Sequence, residues 1–222
     1  MDVSDHYARG MDGTARHERL ARARLHLVLE ARPHGADPRA LLDAALRGGV
    51  DVVQLREKEL VGEALIAAAG PFRRACAEHG ALFVLNDRPE LVEACGADGV
   101  HVGRSDMGVD EARALVGTER LIGLSASTAA ELGNVAGADY VGVTAFATPT
   151  KDDAVAGGLE LLRTAARTLG VPWFAIGGVE LSNIGEVVAA GAPGVAVVRA
   201  IRDAEDPETA ARLLLSALDR QE

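Results

Sequence analysis

From Leu25 onward the chain alternates between short apolar runs and longer stretches with a helical apolar period. The runs Leu25–Leu29, Asp51–Leu55, Leu82–Leu85, Gly99–Val102, Leu121–Leu124, Tyr140–Val143, Trp173–Ile176 and Gly194–Val198 are bounded by Gly, Asp, Asn or Pro, and most are too short for helices. They are predicted strands. The clearest helix is the last. Asp206 is placed to cap it, Pro207 fits its first position, and Ala210, Leu213, Leu214, Ala217 and Leu218 form one apolar stripe. The segment near Glu63–His79 is also helical in period, but Gly70-Pro71 inside it predicts a kink or a split.

A second pattern recurs just before strands. Gly48-Gly49-Val50-Asp51, Cys95-Gly96-Ala97-Asp98-Gly99, Ala136-Gly137-Ala138-Asp139-Tyr140 and Ala190-Gly191-Ala192-Pro193-Gly194 each read as a helix end, a glycine cap and re-entry into a strand. Strands that alternate with helices imply an α/β fold with a parallel sheet, and eight such units favour closure into a single-domain (β/α)₈ TIM barrel over residues 25–222. Residues 1–24 read as a flexible leader running into a short basic helix from Ala15 to Arg24. The first fourteen or so lack a regular apolar period and are expected to be dispensable.

Composition narrows the class. Aromatic residues are only 3% of the chain, so the core must rest on Leu, Val, Ile and Ala. A net charge of -10 argues against a nucleic-acid partner but not against a small phosphorylated ligand, which a few focused cations can hold. Cys76 and Cys95 lack metal-binding spacing and read as buried, reduced thiols. With no apolar run of membrane-spanning length and no hydrophobic signal core, the expectation is a cytoplasmic protein without a membrane partner. Self-association is left open.

In a (β/α)₈ barrel the chemistry sits at the C-terminal ends of strands and in the loops after them. After the second strand comes Gln54-Leu55-Arg56-Glu57-Lys58, where Gln54 and Arg56 share one face and Lys58 continues it. Two cations and an amide suit a diphosphate; a solvated loop paired to Glu57 and Glu59 is the plainer alternative. Asn86-Asp87 follows the third strand and Asp106 the fourth. Either Asp could be a helix cap, yet two of them beside a cationic strand suit Mg²⁺, which takes carboxylate and phosphate oxygens. His101 lies at the fourth strand's end as a core-facing or supporting histidine. Ser125 ends the fifth strand, with Thr128 as a helix cap just beyond. Thr148-Pro149-Thr150-Lys151 follows the sixth and suits phosphate binding and closure over substrate. Gly177-Gly178 follows the seventh strand and Val198-Arg199 ends the eighth, where barrels of this kind hold phosphate through backbone N–H groups.

In order, Gln-Leu-Arg-Glu-Lys from Gln54, Asn-Asp-Arg from Asn86, His-Val-Gly from His101 through Asp106, Gly-Leu-Ser-Ala from Gly123, Thr-Pro-Thr-Lys from Thr148 and Ala-Ile-Gly-Gly-Val from Ala175 resemble the thiamin phosphate synthase family. The resemblance spans roughly residues 25 to 202. It implies a Mg²⁺-dependent transferase that joins a hydroxymethylpyrimidine diphosphate to a thiazole phosphate, or its carboxylated form, giving thiamin phosphate and pyrophosphate. By that resemblance Gln54, Leu55, Arg56, Glu57, Lys58 and Asn86 bind the pyrimidine diphosphate, and Asp87 and Asp106 hold Mg²⁺. Ser125 and Lys151 complete the pyrimidine and pyrophosphate contacts. Thr148, Pro149 and Thr150 line the thiazole phosphate site with Gly178, Val198 and Arg199. Lys151, Ser125, Arg56 and Lys58 are the implied catalytic groups.

The chain departs from the family pattern at three places. Arg104-Ser105 stands where Gln-Glu or Gln-Asp is usual, Arg199 where Ser is usual, and Thr144-Ala145 where Gly-Pro is usual. The alternatives are a thiazole tautomerase paralogue, which tends to lose the diphosphate cations and the Thr-x-Thr-Lys motif, and a non-catalytic barrel that senses a thiamin precursor. The cations, both Asp residues and the motif are all present, which favours the synthase.

Overall fold

The computed structural model describes residues 11–103, 107–146 and 157–219. Eight parallel strands close into a barrel in sequence order, β1 next to β8, as the alternation predicts. The strands are β1 (Leu25–Leu29), β2 (Val52–Leu55), β3 (Leu82–Asn86), β4 (Gly99–Val102), β5 (Leu121–Ala126), β6 (Tyr140–Thr144), β7 (Trp173–Ile176) and β8 (Val195–Val197). Between and around them lie α1 (Gly13–Arg22), α2 (Arg39–Arg47), α3 (Gly62–His79), α4 (Val92–Cys95), α5 (Val109–Val116), α6 (Ala129–Leu132), α7 (Gly158–Thr168), α8 (Ile184–Ala189), α9 (Arg199–Arg202) and α10 (Pro207–Leu218). No helix among the described residues is long and apolar enough to cross a membrane.

Strand side chains alternate between two cores. One parity, including Leu27, Val53, Leu85, Val100, Leu124 and Val141, packs outward under the helices. The other fills the barrel with Val52, Leu82, Val84, Leu121, Tyr140, Phe174 and Ala196. The register carries the inner row up to the mouth, pairing Gln54 with Val84, Asn86 with His101, Ser125 with Gly142 and Thr144 with Ile176. Polar residues at these row ends therefore point into one opening.

Three features differ from the sequence reading. First, α3 runs unbroken through Pro71. The carbonyl that loses its partner belongs to Ala67, which lies on the exposed side of the helix, where water can replace the missing N–H. Second, α10 buries Ala210, Ala211, Leu214 and Leu218 while Leu213 faces solvent, so the stripe is rotated from the one expected; the Asp206 cap is as expected. Third, the expected short N-terminal helix begins at Gly13 rather than Ala15 and, as α1, packs against the barrel. Asp12 caps it, Leu20 enters the inner core, and buried Arg16 reaches Asp98 and the Glu119 carbonyl. The helix closes the N-terminal end of the barrel.

The repeated Gly-x-Asp motif serves that same end. Its glycines sit at positive φ as expected of caps. Its aspartates do more. Asp51 accepts from the N–H groups of Arg24 and Leu25, Asp98 from that of Phe83, and Asp139 from that of Ile122. Each carboxylate opening an even-numbered strand thus holds the start of the strand before it. The fourth copy has Pro193 in this place, beside Gly194, whose added Cβ would lie 2.7 Å from the Arg24 carbonyl.

Candidate active site at the barrel mouth

Parity sorts the Gln54–Lys58 segment. Gln54 faces the barrel interior and is buried near Tyr140, whose titration it influences. Leu55 points the other way and is fully buried in the helix-facing core. Its side chain is therefore kept from the mouth, and only its main chain lies near the strand end. Arg56 follows Gln54 beyond the strand, half-buried, with its N–H bonded to the Leu29 carbonyl. Glu57 is half-buried, and its carboxylate accepts from the Glu59 N–H; Lys58 is exposed.

Asn86 is buried at the end of β3, and its amide donates to the Asp87 carboxylate. Asp87 does not cap a helix, because the turn that begins at Pro89 follows Arg88 with no side-chain cap. Asp87 instead holds a left-handed backbone at φ 58, fixed by its N–H donating to the His101 carbonyl at 2.9 Å. A non-glycine residue in that region is strained, and such strain gathers at functional sites. The half-buried carboxylate is a hard oxygen donor. Among the described residues no three acidic, histidine or cysteine side chains converge as a ready-made metal site.

His101 and Tyr140 carry the part of the site least visible in the sequence. The His101 Nε2 lies 2.9 Å from Ser125 Oγ, and its Nδ1 lies 3.2 Å from the Tyr140 hydroxyl. Tyr140, His101 and Ser125 thus form one chain of polar contacts from the barrel interior to the mouth. Burial raises the Tyr140 pKa far above its ordinary value, with the Gln54 contact opposing in part, so the hydroxyl keeps its proton. Phe174 meets the Tyr140 ring edge-on at 5.8 Å and His26 does so at 6.0 Å. Below, His26 is wholly enclosed, its Nε2 without a hydrogen-bond partner, and burial followed by the nearby His101 lowers its pKa to about 3. It is a neutral core ring.

Around the rim, Ser127 Oγ and Thr144 Oγ1 meet at 2.9 Å, which ties β5 to the end of β6 at the first residue of the Thr144-Ala145 departure. Thr128 caps α6 in a reciprocal box with Glu131. Gly178 has φ 63, Val198 is half-buried, and exposed Arg199 lies 3.8 Å from Glu180. The structure therefore gathers Gln54, Arg56, Asn86, Asp87, His101 and Ser125 at the C-terminal strand ends, with Gly178, Val198 and Arg199 after β7 and β8. Asp106, Thr148, Pro149, Thr150 and Lys151 lie outside the described residues. Tyr140 was missed because its strand reads as an ordinary apolar run. Its only sequence signal is a tyrosine in a chain with two of them, opposite glycines whose alignment needs the strand register.

A closed (β/α)₈ barrel with polar groups converging at the C-terminal mouth defines the class, a TIM-barrel protein. Within that class the chain belongs to the thiamine monophosphate synthase family, whose model matches residues 25–201. It is 48% identical over 207 residues to a thiamine-phosphate synthase of Thermobifida fusca, covering 90% of this chain and 94% of that one. A thiamine-phosphate synthase of Nostoc sp. is 42% identical over 211 residues; the match takes in 94% of this chain, which spans only 59% of that relative's length. The solved thiamine phosphate pyrophosphorylase of Pyrococcus furiosus superposes with a TM-score of 0.81 at 30% identity, covering 90% of this chain and 97% of that one.

Proposed function

We propose that the protein is a thiamin phosphate synthase: it condenses 4-amino-5-hydroxymethyl-2-methylpyrimidine diphosphate with the phosphate of 4-methyl-5-(2-hydroxyethyl)thiazole, or its carboxylated form. The C–O bond of the pyrimidinylmethyl diphosphate breaks, and pyrophosphate leaves with the electron pair. The thiazole nitrogen then gives its lone pair to the methylene cation, forming the C–N bond of thiamin phosphate. The observation that carries this reading is the convergence of buried Gln54 and Asn86 with Arg56, Asp87 and Ser125 in one opening, within a chain of this family.

Each group has a task in that reaction. Gln54 reads the pyrimidine edge. Arg56 and Lys58 meet the diphosphate, where negative charge grows as the bond breaks. Ser125 and Lys151 complete the contacts to the pyrimidine and the leaving group. Thr148, Pro149, Thr150, Gly178, Val198 and Arg199 hold the thiazole phosphate. Asp87 and Asp106 would hold Mg²⁺, which supplies positive charge to the diphosphate oxygens. Asp87 suits that task as a half-buried carboxylate on a strained backbone.

The test is turnover with both substrates, with and without Mg²⁺, following thiamin phosphate and pyrophosphate together. Equal amounts of the two, dependent on the metal, are expected. No product under these conditions would overturn the assignment, and thiazole tautomerisation alone would move it to the paralogue.

A further inference from the structure

Two glycines in succession leave the backbone after β7 with little shape of its own. Gly177 and Gly178 stand at φ 100 and φ 63, which glycine adopts at no steric cost and leaves as easily. Both of their carbonyls are nevertheless held from outside. The Phe146 N–H donates to the Gly177 carbonyl at 3.2 Å, and a Cβ on Gly177 would lie 2.5 Å from the Phe146 carbonyl, so the two backbones meet closely. The Gly178 carbonyl accepts from Asn183 Nδ2 at 2.8 Å, while Asn183 Oδ1 accepts from the Glu180 N–H at 2.9 Å. One carboxamide thus spans Gly178-Val179-Glu180. Because one partner is a carbonyl and the other an N–H, the amide fits in only one orientation.

An asparagine in this place ordinarily does something else. Asn183 directly precedes α8, where such a side chain accepts from the first N–H groups of its own helix. It makes no such bond and reaches back to the loop instead. The consequence falls on the loop's N–H groups. In a planar trans peptide the N–H points opposite to the carbonyl. With the Gly177 carbonyl held by Phe146 and the Gly178 carbonyl by Asn183, the Gly178 N–H is turned away from Phe146 and the Val179 N–H away from Asn183. Neither has an acceptor among the described residues. Successive main-chain N–H groups around a left-handed residue form a concavity for anions.

We propose that Asn183 is a positioning residue that fixes the Gly178–Val179 peptide so that the loop's N–H groups meet the phosphate of the thiazole substrate. This rests on the proposed reaction, which puts that phosphate beside Gly178.

Asn183→Asp and Asn183→Ala in the full chain test it. The aspartate keeps the shape and the acceptor for Glu180 but has no donor for the Gly178 carbonyl; the alanine removes both bonds and adds no charge. The readout is kcat/KM for the thiazole phosphate and for the same thiazole as its free alcohol. Both variants should lower the preference for the phosphate about tenfold, the weight of one hydrogen bond to an anion. KM for the pyrimidine diphosphate should stay within about twofold. Equal losses for the two thiazoles would reveal a purely structural residue and overturn the proposal, as would an unaltered preference in a folded variant. In ¹⁵N–¹H spectra of the wild type, thiazole phosphate should shift the Gly178 and Val179 amides, and unmoved amides overturn the proposal whatever the variants do. A wild type that turns over neither thiazole refutes the proposed reaction instead. Titration with inorganic phosphate then decides for Asn183: amide shifts that need more phosphate in both variants uphold it, and equal affinities overturn it.

Discussion

The Arg16 guanidinium lies 2.9 Å from the Asp98 carboxylate beneath the barrel, with 4% and 15% of their side chains exposed. Asp98 also accepts from the Phe83 N–H, so one carboxylate joins α1, β3 and β4. Removing one partner of a buried pair strands the other's charge. Arg16→Ala is expected to cost about 3 kcal/mol, roughly 6–12 °C in Tm for a chain of this size. Deleting residues 1–14 takes away the Asp12 cap and the Gly13 N–H contact to Glu119, and should cost about 1 kcal/mol or more. Both contacts fall at the end of the segment expected to be dispensable. Thermal melts by circular dichroism check both; an unchanged Tm in either would mean that α1 docks without holding the barrel.

His26 should make the protein acid-labile. Its folded pKa is about 3, against an ordinary 6.5, so between these values the unfolded chain binds a proton that the folded chain does not. Stability attributable to this ring is complete above pH 6.5 and falls by up to about 1.4 kcal/mol per pH unit as pH drops toward 3. His17 acts in the opposite sense. The Gly13 carbonyl, then Asp139, raise its pKa, so its smaller contribution is present at low pH and is lost as pH rises through that raised value. Urea midpoints at pH 7, 5 and 4 measure the slope. His26→Leu should flatten it, and a variant with the wild-type slope would assign the acid sensitivity elsewhere.

Much of this was legible in the sequence, for reasons that show where legibility ends. The eight strands were marked by apolar runs between breakers, and all eight of their starts agree with the structure to within one residue. Gln54, Asn86 and Ser125 were legible as polar residues at apolar strand ends. Leu55 belongs to the same motif, but parity puts its side chain on the opposite face from Gln54. The Asp51, Asp98 and Asp139 stitches were invisible as such, because their partners are backbone groups of other strands, up to 27 residues away. Tyr140 and His101 meet across 39 residues, and only the register aligns them with Gly123.

Asp87→Asn isolates charge from shape. Asn tolerates a left-handed backbone, so the strained position at φ 58 should survive the change. If Asp87 holds Mg²⁺ as proposed, turnover should fall about 100-fold, some 3 kcal/mol in the barrier, and half-activation should need more metal. Tm should stay within about 1 °C, as for a substitution without a packing change. Full activity of the wild type in excess chelator would remove the metal from the mechanism.

Lys151→Ala addresses the proposed contact to the departing pyrophosphate. An ammonium acting mainly on charge that develops in the transition state should affect kcat more than binding. Turnover should fall at least tenfold, with KM for the thiazole phosphate within about twofold, since that contact is made equally before and during reaction. Normal kcat with raised KM for the pyrimidine diphosphate would assign Lys151 to ground-state binding instead.

Two glycines flank the His101 ring, and their substitution separates steric demand from chain entropy. An alanine at Gly123 would place its methyl 2.1 Å from Tyr140 Cζ and 2.5 Å from His101 Nδ1. Neither ring has room to yield, because Tyr140 is held by Phe174 and His26, and His101 by Tyr140 and Ser125. Overpacking a filled core costs about 1–3 kcal/mol, and displacement of Tyr140 would also disturb His101 and its contact to Ser125. Gly123→Ala should therefore lower both Tm and turnover. At Gly142 the added methyl would lie 3.4 Å from His101 Cε1 and 3.8 Å from Ile176 Cγ2, which is ordinary contact. There the main effect is lost freedom in the unfolded chain, worth about 0.4–1 kcal/mol in favour of the fold. Gly142→Ala should hold or raise Tm and keep most of the turnover. Equal losses at the two positions would mean that the barrel interior resists any added methyl, and that the Tyr140–His101 contact has no special claim on the space at Gly123.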